Sequence, residues 1–134
     1  MSIASQINET FTKKLEQYTK EYDVTFKDVQ FLLLKRAESP APEIVLYVNN
    51  KKERILDIQE DILSLKIDFL GEAAKTAMLL DIIMGALSSE LSCTKEEVQI
   101  QLVARSLEDP SVCLALNKNN TFIRWIDLEG ELDF

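Results

Sequence analysis

The apolar residues between positions 55 and 70 are separated by alternating gaps of three and four residues. The stretch reads ILDIQEDILSLKIDFL, and the apolar positions with this spacing are Ile55, Ile58, Ile62, Leu65 and Phe69. Such spacing places an apolar stripe along one side of a helix, which then packs against a second helix. The spacing continues to residue 91, so the pattern predicts one long central helix or a helix broken near Gly71.

Two further helices are predicted on either side of this segment. Apolar residues recur at helical intervals over residues 2–21, with charged residues on the other faces. Residues 94–108 begin with Thr94 and Glu97, which form a capping box, and are followed by Pro110. A helix start and a helix stop in this order predict a helix over 94–108.

Short apolar runs predict two hairpins. VQFLLLKR and EIVLYV flank two prolines, and the second run, 43–48, is rich in β-branched residues. Residues 28–36 fit either a strand or a short helix, whereas 43–48 fit a strand. Near the C-terminus, VCLAL and FIRWIDL are joined by an Asn-rich turn, which predicts a hairpin. The last strand has bulky residues on both faces, so we expect both faces to be covered, one of them by another subunit.

These elements predict a single α+β domain over residues 1–134. Its antiparallel sheet consists of two hairpins, about four strands, packed with three to four helices that include the long or broken central helix. Residues 128–134 are expected to be a frayed tail. No internal repeat is apparent in the order of the predicted elements.

The net charge of −8 is unevenly distributed along the chain. Residues 1–54 have nine basic and eight acidic residues, whereas residues 55–134 have six basic and fifteen acidic residues. An acidic second half repels phosphate groups, so we expect neither nucleic-acid binding nor binding to an anionic membrane. The same charge favours a basic protein as partner.

The residue inventory argues against most enzyme classes. The chain has no histidine, and Cys93 and Cys113 are too far apart for a CxxC motif. Three scattered glycines cannot form a phosphate-binding loop. We therefore expect no cofactor, no metal site and no catalytic residue. The least favoured alternative is a metal-dependent enzyme that uses the carboxylates of Asp57, Glu60, Asp61 and Asp81.

Three charged residues are candidates for a ligand site. Asp81 lies in the apolar segment AMLLDIIMGAL, and Arg105 and Arg124 belong to the predicted helix 94–108 and the last strand. If the two arginines converged, they could bind an anion. This alternative predicts a protein that sequesters a small anionic ligand in a pocket between subunits.

The leading hypothesis is a non-enzymatic, acidic binding protein that forms a homodimer or a larger oligomer and acts on a basic partner, as inhibitors, immunity proteins and chaperones do. The predicted interface comprises Glu53, Ile55, Asp57, Ile58, Glu60, Asp61, Ile62, Leu65 and Phe69. No run of about 18 apolar residues and no signal peptide are visible, so we expect a cytoplasmic protein.

Overall fold

The computed structural model describes residues 3–38, 42–56 and 73–126, with only the backbone described for 3–7 and 73–80. Two α-helices and six strands form in the order α1 (Ile3–Tyr22), β1 (Val29–Leu34), β2 (Glu43–Val48), β3 (Lys51–Leu56), α2 (Ala73–Glu90), β4 (Val98–Ala104), β5 (Val112–Lys118) and β6 (Thr121–Ile126). All strands belong to one antiparallel sheet with the order β3-β2-β1-β4-β5-β6.

The predicted architecture of four strands with three to four helices is therefore wrong. In the described part of the chain, six strands are accompanied by two α-helices. The predicted helix 94–108 is the first error. Its capping box starts only a short 3-10 turn, Lys95–Glu97, and the chain then continues as β4. Side chains at every second position of β4 are buried in the core, which is the period of a strand.

The predicted central helix is the second error. Residues 51–56 form β3, which pairs with β2 across a turn at Asn49 and Asn50. Both asparagines have positive φ, 52° and 64°, a conformation that asparagine adopts more readily than most residues and that two-residue hairpins require. Residues 73–90 form α2 as expected, whereas 57–72 and the predicted frayed tail lie outside the described residues.

Other expectations are confirmed. The first helix covers 3–22, the second apolar run forms β2, and the Asn-rich turn joins β5 to β6. The ambiguous stretch 28–36 contains strand β1, not a helix.

The chain contains an internal repeat, contrary to the expectation from its sequence. Each half runs helix, 3-10 turn and three strands. The Thr25 and Asp28 capping box recurs 69 residues later at Thr94 and Glu97. The middle of the sheet is the pairing of β1 with β4, in which Leu32 lies opposite Gln101, its own equivalent. An approximate twofold axis therefore passes through this pair and relates the two repeats.

The core lies between the sheet and the two helices. Side chains of both helices pack against one face of the sheet in a single apolar cluster. Its most enclosed members are Leu15, Tyr18, Val29, Phe31, Ile44, Leu46, Met84, Leu87, Val98, Ile100 and Leu116. Even a minor detail is repeated. Thr19 Oγ1 donates to Glu16 O at 2.7 Å, and Ser88 Oγ donates to Gly85 O at 2.8 Å, at equivalent positions of the two helices.

Candidate functional site

One face of the sheet is covered by α1 and α2, and we call the other the open face. Strand register places the open-face residues opposite one another, as in the series Ile55, Val45, Leu32, Gln101, Ala115 and Trp125, which crosses all six strands. No described helix covers this face. Its centre and its two ends differ in chemistry.

An aromatic surface lies at the β6 end of the open face. Phe122 and Trp125 are 52% and 59% exposed, and their rings meet edge to face with centroids 5.4 Å apart. Ile123 between them is 43% exposed and lies at a β-bulge. We call these three residues the aromatic edge. Exposed apolar residues gathered in one patch are typical of a binding surface, whereas single ones are not.

The equivalent end of the sheet is charged. β3 is the other outer strand, and its Lys51, Lys52 and Glu53 are exposed. We call these three residues the charged edge. The repeat matches Lys52 with Phe122 and Glu53 with Ile123. Charged residues on an outer strand oppose the pairing of that strand with another chain, and aromatic residues lack this protection.

The centre of the open face is a shallow depression of about 270 Å³ lined by polar, uncharged groups. The lining residues are Gln30, Leu32, Tyr47, Asn50, Gln101, Asn117 and Asn120. The side-chain amides form a chain of hydrogen bonds. Gln30 donates to Asn50 at 3.1 Å, Gln101 donates to Gln30, and Asn117 donates to Gln101 at 3.4 Å.

The amide chain satisfies most of its own hydrogen-bonding groups. Asn117 Oδ1 is buried without a hydrogen-bond partner in the described structure. None of the lining residues is positively charged, so the depression has no group that would attract an anion.

The two arginines predicted to bind an anion pair with different carboxylates. Arg124 donates from Nε and Nη2 to Glu90 at 2.9 and 2.7 Å, whereas Arg105 lies 3.7 Å from Asp109. Arg124 lies opposite Leu116 and Leu116 opposite Ile100, five residues before Arg105. Five residues span about 17 Å along a strand, so the sheet does not bring the arginines together.

The other predicted site residues are dispersed. Asp81 forms an ion pair with Lys95 Nζ at 2.9 Å, and this pair joins α2 to the 3-10 turn before β4. Ile55 is 40% exposed on the open face, and Glu53 belongs to the charged edge. The other residues of the predicted interface, from Asp57 to Phe69, lie outside the described residues.

Hydrogen bonding lowers the pKa of Glu90 and of Asp109, the two carboxylates that pair with the arginines. The Arg124 guanidinium, through its hydrogen bonds, lowers the pKa of Glu90 below its ordinary range. Backbone and side-chain donors of Ser111 do the same for the pKa of Asp109, with a smaller effect from Arg105. Both acids are therefore ionised near neutral pH and act as partners for the arginines.

Within the described ranges, no group of three or more Asp, Glu or Cys side chains is arranged to hold a metal ion. The helices seen there are also too short or too polar to cross a membrane. Comparison with protein-family models, with curated proteins and with solved structures finds no match.

Sequence reasoning missed the aromatic edge. The bulky residues on both faces of the last strand predict that both faces are covered, and this pattern does not indicate that Phe122, Ile123 and Trp125 are exposed. A usable signal exists in the repeat, because aligning KKERIL with TFIRWI shows charged residues replaced by apolar ones at the same positions.

Proposed function

We propose that this protein is a non-enzymatic binding protein that engages a more basic protein through the aromatic edge and the adjoining part of the open face. One observation carries the proposal: Phe122 and Ile123 are exposed apolar side chains at positions that are charged in the other repeat. They lie beside Trp125, whose equivalent, Ile55, is apolar and less exposed. An outer strand that faces only solvent has no need of apolar residues at positions where the other repeat has charged ones. A partner that covers Phe122, Ile123 and Trp125 explains it.

The aromatic edge has the chemistry of an interface centre. A tryptophan or phenylalanine buries roughly 150–250 Å² when it is covered, and tryptophan is among the residues that most often dominate binding energy. Phe122 and Trp125 already pack against each other, so little side-chain freedom remains to be lost on binding. Ala115 of β5 lies opposite Trp125 and is buried, so the aromatic edge adjoins an apolar part of the sheet.

The charge of the chain defines the partner. Residues 57–72 and 127–134, which follow the two outer strands in sequence, contain nine acidic residues and one basic residue, and elsewhere the two kinds are equal in number. A basic protein is attracted by this charge, and the attraction weakens as salt screens it. A second copy with a net charge of −8 is repelled instead, so a basic protein is the favoured occupant. Self-association through residues 55–69 stays a prediction.

We also propose that the protein acts in the cytoplasm. The two cysteines, Cys93 and Cys113, are both free thiols. Burial, with a smaller contribution from Glu97, raises the pKa of the Cys93 thiol, which keeps it protonated and unreactive. Free thiols of this kind are typical of a reducing compartment.

A photo-crosslinking amino acid placed at position 122 in the source cells tests the proposal. The matched control carries the same group at position 52, the equivalent site on the charged edge. We expect position 122 to crosslink a discrete protein with an excess of Lys and Arg, in a yield that falls as salt rises, and position 52 to give none of that product. Equal crosslinking at the two sites, an acidic product, or a product made only of two copies of this chain would refute the proposal.

A further inference from the structure

We propose that the partner binds by strand addition: an extended segment of the basic protein pairs with β6 and becomes a seventh strand of the sheet. This inference rests on the proposed function and specifies how the aromatic edge is used. It concerns the backbone of β6, whereas the proposed function concerns its side chains.

β6 has a strand neighbour on one side only among the described strands, since β5 precedes it and nothing follows it in the sheet order. In an antiparallel ladder, alternate residues direct their N–H and C=O groups away from the neighbouring strand. The Trp125 carbonyl oxygen accepts a hydrogen bond from its neighbour Arg124 Nη1 at 3.0 Å, which is consistent with a carbonyl group directed away from β5. A carbonyl oxygen has two lone pairs, so it can accept a second hydrogen bond from an added strand.

β3 is the other outer strand, so each repeat has one strand with a single described neighbour. The apolar side chains Phe122 and Ile123 along that edge occur only in the second repeat. Both outer strands carry a bulge at the equivalent position, next to Leu46 on one side and Leu116 on the other. The bulges are shared, so they do not distinguish the two edges. Lysine and glutamate side chains prevent pairing at β3, and their replacement by Phe122 and Ile123 permits it at β6.

The position of β6 defines the sequence of the added strand. Side chains on its open-face side lie beside Phe122 and Trp125, which favours apolar residues at every second position. Side chains on the other side lie beside Arg124 and Glu90, whose charges neutralise each other through two hydrogen bonds. We infer an extended segment that alternates apolar with polar or basic residues.

Synthetic peptides that alternate lysine and valine provide the probe. In an extended chain the valine amides all point to one edge and the lysine amides to the other. Two peptides are methylated on their backbone nitrogens, one at the valines and one at the lysines, so they match in charge, composition and number of methyl groups. Strand addition predicts that one methylated peptide binds at least about tenfold more weakly than the unmethylated peptide, because several hydrogen bonds are lost, and that the other binds nearly as well.

Isothermal titration calorimetry of the full chain with each of the three peptides measures their affinities. Unequal losses support strand addition, and the sensitive peptide shows whether the added strand runs parallel or antiparallel. Equal binding by all three peptides, or equal losses from both methylations, would overturn strand addition and leave the proposed function standing. An unmethylated peptide that fails to bind, or that binds the Phe122→Lys variant equally well, would contradict the proposed function itself.

Discussion

The two outer strands of the sheet occupy equivalent positions and have opposite surfaces. β3 presents Lys52 and Glu53 where β6 presents Phe122 and Ile123, although both strands keep an arginine one position further, Arg54 and Arg124. Each of these arginines interacts with a residue on the helix of its own repeat. Residues that hold the strand to its helix are retained, and residues that face outwards differ.

This difference separates structure from function within one chain. A duplicated unit begins with two identical edges, and an exposed outer strand invites pairing with other chains. One edge is protected by charge, whereas the other is left apolar. The protected edge shows what the fold needs, so it serves as an internal control for the unprotected one.

The largest expected effect tests the cores of the two repeats. Phe31 contacts the rings of Phe11 and Tyr18 at centroid distances of 5.4 and 6.1 Å, whereas its equivalent, Ile100, is aliphatic. We expect Phe31→Ala to lower the free energy of unfolding by about 3–5 kcal/mol, because it leaves a cavity and removes two ring contacts.

Ile100→Ala is the matched control for the core. We expect a smaller loss, about 2–4 kcal/mol, because no ring pairs are broken. Urea denaturation followed by circular dichroism measures both losses. If Ile100→Ala proved the more damaging, the first repeat would not be held together by its aromatic residues.

The second prediction exchanges the edges. Phe122→Lys with Ile123→Glu gives β6 the residues of β3. We expect the affinity for the lysine–valine peptide to fall at least about 30-fold, which is the loss typical when a dominant interface residue is removed. The free energy of unfolding should change by no more than about 0.5 kcal/mol, because these side chains are exposed.

The reverse exchange is the control for the edges. Lys52→Phe with Glu53→Ile gives β3 an apolar surface, and we expect this variant to self-associate or to bind a second peptide. Sedimentation velocity and titration stoichiometry measure the two effects. A variant with a new peptide site would show that the edge residues suffice for binding, and one that stays monomeric with a single site would show that β6 has a further requirement.

The third prediction compares the two arginines. Arg54 Nη2 donates to the hydroxyl of the buried Tyr18 at 2.8 Å, and its guanidinium lies 5.7 Å from the ring centre. Arg54→Ala removes both interactions, so we expect a loss of about 1–2 kcal/mol. Arg124→Ala breaks a partly exposed ion pair and should cost at most about 1 kcal/mol. Thermal unfolding at one pH and salt concentration ranks the two variants. The opposite order would show that the Arg124–Glu90 ion pair stabilises the fold more than the Arg54–Tyr18 interactions do.

The sequence predicted elements whose patterns were long or bounded by turn residues. The first helix has twenty residues of regular spacing, and the Asn-rich turn lies between two apolar runs. β4 was misread because Thr94 and Glu97 form a genuine capping box, but the box caps only one turn. Short strands and short helices share such signals, and pairing with distant strands decides between them.

The aromatic edge could not be predicted from the spacing of residues along the chain, because its exposure depends on the order of the strands in the sheet. Trp125 has the residue type of a core side chain, and it is exposed because it lies on the open face of an outer strand, whereas its neighbour Ile126 is buried beneath the helices. That order follows from pairing β1 with β4, which joins the two repeats. Recognising the repeat would have placed β3 and β6 at equivalent edges and made their difference visible.

The smallest expected effect is a pH dependence confined to one repeat. Arg124 holds the pKa of Glu90 below its ordinary value of 4.5, so the ion pair stabilises the folded state above that pH. The stabilisation is lost as the pH falls through the lower pKa of the folded state. We therefore expect Glu90→Gln to cost at most about 1 kcal/mol at neutral pH and progressively less below pH 4.5.

Glu21, the equivalent acid on α1, is exposed, and Glu21→Gln should show a smaller difference from the unmodified protein. Urea titrations across the acid range measure both differences. A Glu90→Gln difference that stayed constant into strong acid would mean that Arg124 is not what distinguishes this carboxylate, and the two repeats would then be alike on their helix-covered faces.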